Sequence, residues 1–250
     1  MTLRDVTITL DQGNSSTKLV VYDATSREEI SCATLIGATS LKLLSEQLDG
    51  CNVIAAIGCN VAHDRNLKEL MENINSDKKI ELTHLTPVPL KNGYGTPETL
   101  GADRLAAAVG AAAIHPGKDI LVADMGSACT FDIVSAEGEF KGGNISPGPG
   151  MRLRALNRFT ARLPLVSGHS DTLIPNIGNN TEEALRCGAL RGVVAELLYY
   201  SGNGQTRQLV LSGGWAPKIA ALLPNDITYS LRPHLVNEGL NHILHYNLER

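Results

Sequence analysis

Two distant stretches of this 250-residue sequence repeat the same pattern. In "VTITLDQGNSSTKLVVYD" and again in "DILVADMGSACTFDIV", an apolar run typical of a strand leads into a turn with Asp and Gly, and a second apolar run follows. The copies are offset by 113 residues, which aligns Asp11, Gly13, Asn14 and Thr17 with Asp124, Gly126, Ser127 and Thr130. A plain hairpin turn need not recur at this spacing, so we interpret the pattern as an internal duplication.

The duplication predicts an α/β protein with two domains. Strand-like and helix-like runs alternate along both copies, and "HPGKD" interrupts the chain after an Ala-rich helix predicted over residues 100–114. We therefore expect one domain at residues 1–116 and a second at 117–250. In the second, apolar spacing predicts a long helix over residues 181–200 behind a capping Thr, a strand "QLVLSGG" and a C-terminal helix.

Each repeated turn contains residue types that are suited to binding a phosphate group. Glycine and small hydroxyl residues expose backbone N–H groups without side-chain bulk, and Asp binds hydrated magnesium, which bridges phosphate oxygens. Lys18 adds a positive charge beside the first turn. One such turn is also ordinary hairpin chemistry, but two copies at matching positions favour phosphate binding.

The composition argues against several classes of protein. With 43% hydrophobic residues, 19% charged residues and a formal net charge of −4, the chain is typical of a soluble globular protein and offers no broad basic surface for nucleic acid. The five cysteines form no Cys-x-x-Cys pair and are interpreted as reduced. Because there is no signal-peptide pattern and the longest apolar run covers only residues 105–114, we expect a cytoplasmic protein without a membrane partner.

Five motifs, in this order, resemble those of the type III pantothenate kinase family: "DQGNSSTK", "GADR", "DMGSACTFD", "GGNISPGPGMRLRALNRFTARLP" and "NNTEEAL". The resemblance covers nearly the whole chain. The family belongs to the superfamily of acetate and sugar kinases, heat-shock chaperones and actin, which implies two ribonuclease-H-like domains with a cleft between them. It also implies a homodimer that uses ATP to phosphorylate pantothenate to 4'-phosphopantothenate, the first step of coenzyme A synthesis.

The resemblance also implies roles for individual residues. The first phosphate loop, which binds ATP and through Asp11 also magnesium, matches Asp11, Gln12, Gly13, Asn14, Ser15, Ser16, Thr17 and Lys18. In the second loop, Ser127 matches a nucleotide contact and Asp124 the ligand of a monovalent cation, potassium or ammonium. The pantothenate-binding residues match Tyr94, Gly101, Ala102, Asp103, Arg104 and Thr181, with Asp103 as the catalytic base and Thr181 supplied by the partner subunit. Ser15 and Ser127 replace the Thr that is commoner in the family, and either hydroxyl can donate to phosphate.

Some of these residues also have a simpler structural interpretation. From spacing alone, Asp103 and Arg104 would be a capping acid and a surface base at the start of a helix. The two glycines of "LSGGW" suit a tight strand-to-helix turn, which would also let adenine approach the backbone, and "GGNISPG" is predicted to be a structural turn. His242 and His245 lie one helical turn apart, but with no third ligand a solvated helix face is favoured over a metal site.

Two other functions are compatible with the residues. Asp-x-Gly loops do not identify the phosphate acceptor, so another phosphotransferase or a phosphohydrolase of the superfamily is one alternative. The other is a non-catalytic accessory factor in gene regulation, against which the retained Asp103 and both loops argue. For the homodimer, the Ala and Gly residues of the helix over 100–114 predict a surface that a second subunit can approach closely.

Overall fold

The computed structural model describes residues 3–13, 16–61, 66–169, 173–202, 204 and 206–250. These residues form eleven strands and seven α-helices. The strands are β1 (Arg4–Gln12), β2 (Thr17–Asp23), β3 (Glu29–Leu35), β4 (Cys51–Asn60), β5 (Lys79–Glu81), β6 (Lys91–Asn92), β7 (Ile120–Met125), β8 (Ala128–Val134), β9 (Glu139–Pro147), β10 (Gln208–Ser212) and β11 (Tyr229–Leu231). The helices are α1 (Ser40–Gln47), α2 (Asn66–Glu72), α3 (Ala102–Ile114), α4 (Pro149–Phe159), α5 (Thr181–Ser201), α6 (Ala216–Ala220) and α7 (Leu235–Leu248). No helix in this part of the chain is both long and apolar enough to cross a membrane.

The chain divides into two compact units with the same strand topology. The first unit comprises Met1–Ile114 and Leu235–Arg250, and the second comprises His115–His234. Strands lie in the order β3-β2-β1-β4-β5 in the first unit and β11-β10-β7-β8-β9 in the second. In each unit the first strand is antiparallel to the second and parallel to the fourth. The third strand is antiparallel to the second, and the fifth is parallel to the fourth. This matching order confirms the predicted pair of ribonuclease-H-like α/β units.

The C-terminal helix α7 belongs to the first unit, which corrects the prediction that residues 117–250 form one domain. It packs along α3 and against β1. This close approach needs glycine, because a Cβ on Gly239 would overlap the carbonyl oxygen of Ala106, and one on Gly110 would lie 2.8 Å from that of Leu235. The observed division after Ile114 also precedes the predicted boundary after residue 116.

The same packing changes the interpretation of the small residues in α3. Residues 104–111 are buried within the first unit, where α3 meets α7. The prediction that this helix offers its small-residue face to a second subunit is therefore wrong, because α7 already covers that face.

Polar side chains of α7 reach the strands that lead into the first repeated loop. The amide nitrogen of Asn237 is fully buried and donates to Thr9 Oγ1 at 2.9 Å and to the carbonyl oxygen of Lys18 at 3.2 Å.

His245, two turns later, is also buried, while His242 is exposed. The predicted solvated face with both histidines is thus wrong for His245.

One local prediction in the second unit also needs correction. The stretch "GGNISPG" is not a turn, because all of it except Gly148 lies in β9 and pairs with β8. Gly148 follows the strand and precedes Pro149, the first residue of α4.

Candidate active site

The first repeated loop connects the ends of β1 and β2. Antiparallel pairing places Lys18 opposite Asp11 and Thr17 opposite Gln12. The backbone N–H of Gly13 donates to the carbonyl oxygen of Ser16 at 3.1 Å and so holds the two sides of the loop together. The loop is therefore anchored at the end of the central strand of the sheet.

The described residues of this loop differ in their exposure. Gln12 and Thr17 are 2% and 1% exposed, and Thr17 Oγ1 accepts a hydrogen bond from Asn66 Nδ2 at 3.4 Å. The predicted contacts Asn14 and Ser15 lie outside the described residues. The predicted loop residues with partly exposed surface are Asp11, Gly13, Ser16 and Lys18.

Asp11 has an environment that disfavours its negative charge. Burial raises the pKa of its carboxyl group from 3.8 to about 6, Lys18 opposes this rise, and the negative charge of Asp103 adds to it. Cys59, its neighbour on the parallel strand β4, donates its thiol hydrogen to Asp11 Oδ1 at 3.6 Å. Sequence analysis missed Cys59, because only strand pairing brings it to Asp11.

Asp103 stands in the first turn of α3, near enough to Asp11 for its charge to act on that carboxyl. Its Oδ1 accepts a hydrogen bond from the backbone N–H of Arg104 at 2.8 Å, as a carboxylate at a helix start commonly does. Burial raises the pKa of Asp103, and Arg104 opposes this shift. A side chain at Gly101 would place its Cβ 2.5 Å from Asp103 Oδ1, so glycine leaves that carboxylate room.

Two other predicted substrate residues lie together in the first unit. The guanidinium carbon of Arg104 lies 5.6 Å from the centre of the Tyr94 ring, within the range of a cation–π contact. Arg104 is 7% exposed, so the interpretation of this residue from spacing as a surface base is wrong, and Tyr94 is partly exposed. With Gly101 and Ala102 also partly exposed at the start of α3, the predicted segment forms one local cluster.

The second repeated loop connects β7 and β8. The pairing of these two strands is shifted by one residue relative to the pairing of β1 and β2 around the first loop. Asp124 lies opposite Thr130, whereas its counterpart Asp11 lies opposite Lys18. The backbone N–H of Gly126 donates to the carbonyl oxygen of Ala128 at 3.0 Å. The side chain of Ser127 at the tip is exposed, which leaves its hydroxyl open to a ligand.

Two glycines from elsewhere in the second unit pack against this loop. A Cβ on Gly213, which has a φ of 87°, would overlap Asp124 Oδ1. A Cβ on Gly148 would overlap the carbonyl oxygen of Gly126 and lie 2.7 Å from that of Ser127. The "LSGGW" motif thus has a definite structural use, because Gly213 makes room for the Asp124 carboxylate. The role of Gly148 was not found from the sequence.

Thr181 is the first residue of α5, and its side chain is exposed. The helix cap is Asn180, which accepts a hydrogen bond from the backbone N–H of Glu183 at 3.0 Å. The Glu183 carboxylate in turn accepts from the backbone N–H of Asn179 at 3.1 Å. The prediction that the Thr caps this helix is therefore wrong, and the Thr181 hydroxyl is not used in the capping pair.

The two loop carboxylates suit the cations that the sequence predicts. Magnesium and potassium both prefer oxygen ligands, which Asp11 and Asp124 supply. The raised pKa of Asp11 indicates a carboxylate whose ionised form a nearby cation would stabilise. Asp124 has space for its carboxylate only because residue 213 is glycine.

Comparisons with known proteins agree on the fold and the family. The profile of the type III pantothenate kinase family matches residues 7–200. A type III pantothenate kinase of Phocaeicola vulgatus is 38% identical over 244 residues, covering 95% of this chain and 97% of that relative.

Solved structures with lower identity share the fold. A conserved Campylobacter jejuni protein assigned to the Baf family of transcriptional activators has a TM-score of 0.61 at 22% identity and covers 97% of this chain and 100% of its own. The activator of the 2-hydroxyisocaproyl-CoA dehydratase from Clostridium difficile, solved with bound ADPNP, has a TM-score of 0.58 at 14% identity, covering 98% of this chain and 96% of its own. These likenesses show the actin-like ATPase and sugar kinase fold alone. Because the family profile spans both repeated loops and Asp103, the chain belongs to the type III pantothenate kinase family.

Proposed function

We propose that this protein is an ATP-dependent pantothenate kinase. It transfers the γ-phosphoryl group of ATP to the primary hydroxyl of pantothenate and forms ADP and 4'-phosphopantothenate, the first step of coenzyme A synthesis. The observation that carries the proposal is the proximity of Asp11, at the end of the central strand, to Asp103, in the first turn of α3, in a chain of this family.

Asp103 is the proposed catalytic base. As the pantothenate oxygen bonds to the γ-phosphorus and the bond from that phosphorus to the ADP oxygen breaks, the Asp103 carboxylate accepts the hydroxyl proton. The N-terminal end of α3 stabilises the ionised carboxylate, while burial raises its pKa and so its basicity. Both effects suit a group that must be ionised at neutral pH and still accept a proton.

The two loops are proposed to bind the nucleotide. In the first loop, Lys18 would contact phosphate oxygens, and in the second the Ser127 hydroxyl would do so. Asp11 would hold magnesium and Asp124 a monovalent cation, potassium or ammonium. When bound, these cations neutralise the phosphate charge that builds up during transfer.

Pantothenate is proposed to bind at Tyr94 and the segment from Gly101 to Arg104. The Arg104 guanidinium carries a positive charge that suits the carboxylate of pantothenate, and its contact with Tyr94 limits its motion. Thr181 of the partner subunit would complete the site. Its exposed hydroxyl at the start of α5 is free to make such a contact.

A homodimer is also part of the proposal, although α3 does not supply its interface. Support comes from large apolar side chains of the second unit that are strongly exposed, among them Phe159 at 81%, Leu173 at 87%, Ile177 at 86% and Tyr199 at 80%. Burying such residues against a second copy would be favourable. Light scattering should give twice the chain mass, and a fully active monomer would contradict the composite site.

The activity is tested by coupling ADP formation to an optical assay with ATP, magnesium and pantothenate, with and without potassium. We expect turnover that requires pantothenate and a product with the mass of 4'-phosphopantothenate. Asp103→Asn should lose most turnover, while Asp77→Asn, a change at an exposed acid of the same unit, should not. Pantothenate-independent ATP hydrolysis would instead favour a phosphohydrolase, and no turnover with folded protein would favour a non-catalytic regulator.

The proposed location is the cytoplasm, where ATP is available. All five cysteines are free thiols in this structure, and three of them are buried. Free thiols are typical of a reducing compartment.

A further inference from the structure

Arg152, in the first turn of α4, turns back over the end of β9 instead of extending into solvent. Its Nε donates to the carbonyl oxygen of Pro147 at 2.7 Å, and its Nη2 donates to Ser146 Oγ at 3.1 Å and to Glu196 Oε1 on α5. The hydroxyl of Ser146 donates to the other oxygen of Glu196 at 2.6 Å. The side chains of Arg152 and Glu196 are only 20% and 29% exposed, so solvent screens this cluster weakly.

A glycine on α5 leaves space for the Arg152 guanidinium. A Cβ on Gly192, one turn before Glu196, would lie 2.8 Å from Arg152 Nη1. The planar guanidinium satisfies Pro147, Ser146 and Glu196 at once, which the single ammonium group of lysine cannot do in the same geometry. The cluster is therefore a specific, partly buried contact that joins α4, α5 and β9, unlike an ordinary surface ion pair.

The backbone that Arg152 holds is the support of the second phosphate loop. Ser146 and Pro147 pair with the first residues of β8, and the N–H of Gly148 donates to the carbonyl oxygen of Ser127 at 3.1 Å. Gly148 packs so closely that a Cβ there would overlap the carbonyl oxygen of Gly126. A shift of the segment 146–148 would therefore move the backbone of the loop whose tip is Ser127.

We propose that Arg152 and Glu196 are positioning residues for nucleotide binding. Together they fix the segment 146–148 against the second loop, and this sets the direction in which Ser127 presents its hydroxyl. The inference rests on the proposed function in one respect, the contact between Ser127 and the nucleotide. Neither Arg152 nor Glu196 is assigned a contact with a substrate.

The test compares Arg152→Lys and Glu196→Gln with Arg158→Lys, a matched change at an exposed arginine of the same helix. Three quantities are measured: the Kd of a non-hydrolysable ATP analogue by calorimetry, the KM of ATP and of pantothenate, and the melting temperature. We expect both cluster variants to raise the analogue Kd and the ATP KM by about tenfold, the size of a lost charge-assisted hydrogen bond. The pantothenate KM and kcat should change less than about threefold, and Arg158→Lys should match the parent protein.

A purely structural role would lower the melting temperature and leave nucleotide affinity unchanged, which would overturn the proposal. Equal loss of affinity for ATP and pantothenate would also overturn it, because the effect would not be specific to the second loop. If Arg152→Lys does not fold, Glu196→Gln decides by the same criteria. The analogue Kd needs no turnover, so inactive parent protein would contradict the kinase proposal while this comparison still tests the positioning role.

Discussion

Replacing Asp11 with asparagine should stabilise the metal-free protein at neutral pH while abolishing its activity. The parent carboxyl is destabilised when ionised, because burial raises its pKa from 3.8 to about 6. Asparagine is nearly isosteric, carries no charge, and its Oδ1 can still accept the Cys59 thiol hydrogen. The change therefore removes an unfavourable charge and keeps the local packing.

The size and sign of the effect follow from the pKa values. Between pH 3.8 and about 6, the folded protein holds a proton that the unfolded chain has released, so the parent loses stability as pH rises through this window. A full shift from 3.8 to about 6 corresponds to about 3 kcal/mol above pH 6. The side chain is partly exposed, and screening reduces this to between about 1 and 3 kcal/mol. For a chain of this length, that predicts a rise in melting temperature of about 3 to 10 °C at pH 8.

The assay is a thermal melt of parent and Asp11→Asn in EDTA, without nucleotide, at pH 4 and pH 8. The variant should melt higher at pH 8, and the difference should nearly vanish at pH 4, where the parent carboxyl is protonated. Asp23→Asn is the control of opposite sign, because hydrogen bonds from Ser26 N–H and from Arg4 lower the pKa of Asp23 to about 2. That control should melt lower than the parent at pH 8. An Asp11→Asn protein that melts no higher than the parent at pH 8, or is stabilised equally at both pH values, would refute the reasoning.

Three further predictions concern the catalytic base, the helix contact and the cation site. Asp103→Asn should lower kcat by a factor of about 10² to 10⁴, toward the lower end of that range, while the pantothenate KM changes modestly and the melting temperature stays the same. Retention of more than about a tenth of the parent kcat would mean that Asp103 only orients the substrate. Gly239→Ala should lower the free energy of unfolding in denaturant by about 1 to 3 kcal/mol, because its Cβ would overlap the carbonyl oxygen of Ala106. The control Gly188→Ala, in an open position of α5, should leave that free energy unchanged or raise it. Equal stabilities of the two variants would contradict the close contact between α3 and α7. Asp124→Ala should abolish the response of activity to potassium and most of the activity, and a potassium titration like that of the parent would reject the assignment.

Several elements of this fold were predictable from short stretches of sequence, although β9 was wrongly predicted to be a turn. Strands β1, β2, β7 and β8 coincide with apolar runs of strand length, and α3 and α5 with runs of helical spacing. These signals depend on neighbours within a few residues, so no long-range contact is needed to interpret them. The repeated turn likewise predicted two α/β units, and the matching strand orders confirm that prediction.

The sequence also pointed to Asp103 by two routes. Spacing alone suggested a capping acid, and Asp103 does accept a hydrogen bond from the backbone N–H of Arg104. The family motif suggested a catalytic base, a role that stays a prediction, and Asp103 lies near enough to Asp11 for its charge to act on that carboxyl. A single carboxylate could accept this hydrogen bond and also act as a base, because a position at a helix start stabilises its ionised form.

Tertiary structure decided which surfaces meet, because those contacts join residues that are distant in the chain. The small residues of α3 would suit a second subunit or another helix equally well, and the choice depends on the shape of α7, where Gly239 lets the Ala106 carbonyl approach. Cys59 reaches Asp11 only through the parallel pairing of β1 with β4, and Gly213 makes room for Asp124 only because β10 pairs with β7. Such contacts require complementary shape across the folded unit, and no local pattern of residue types encodes that shape.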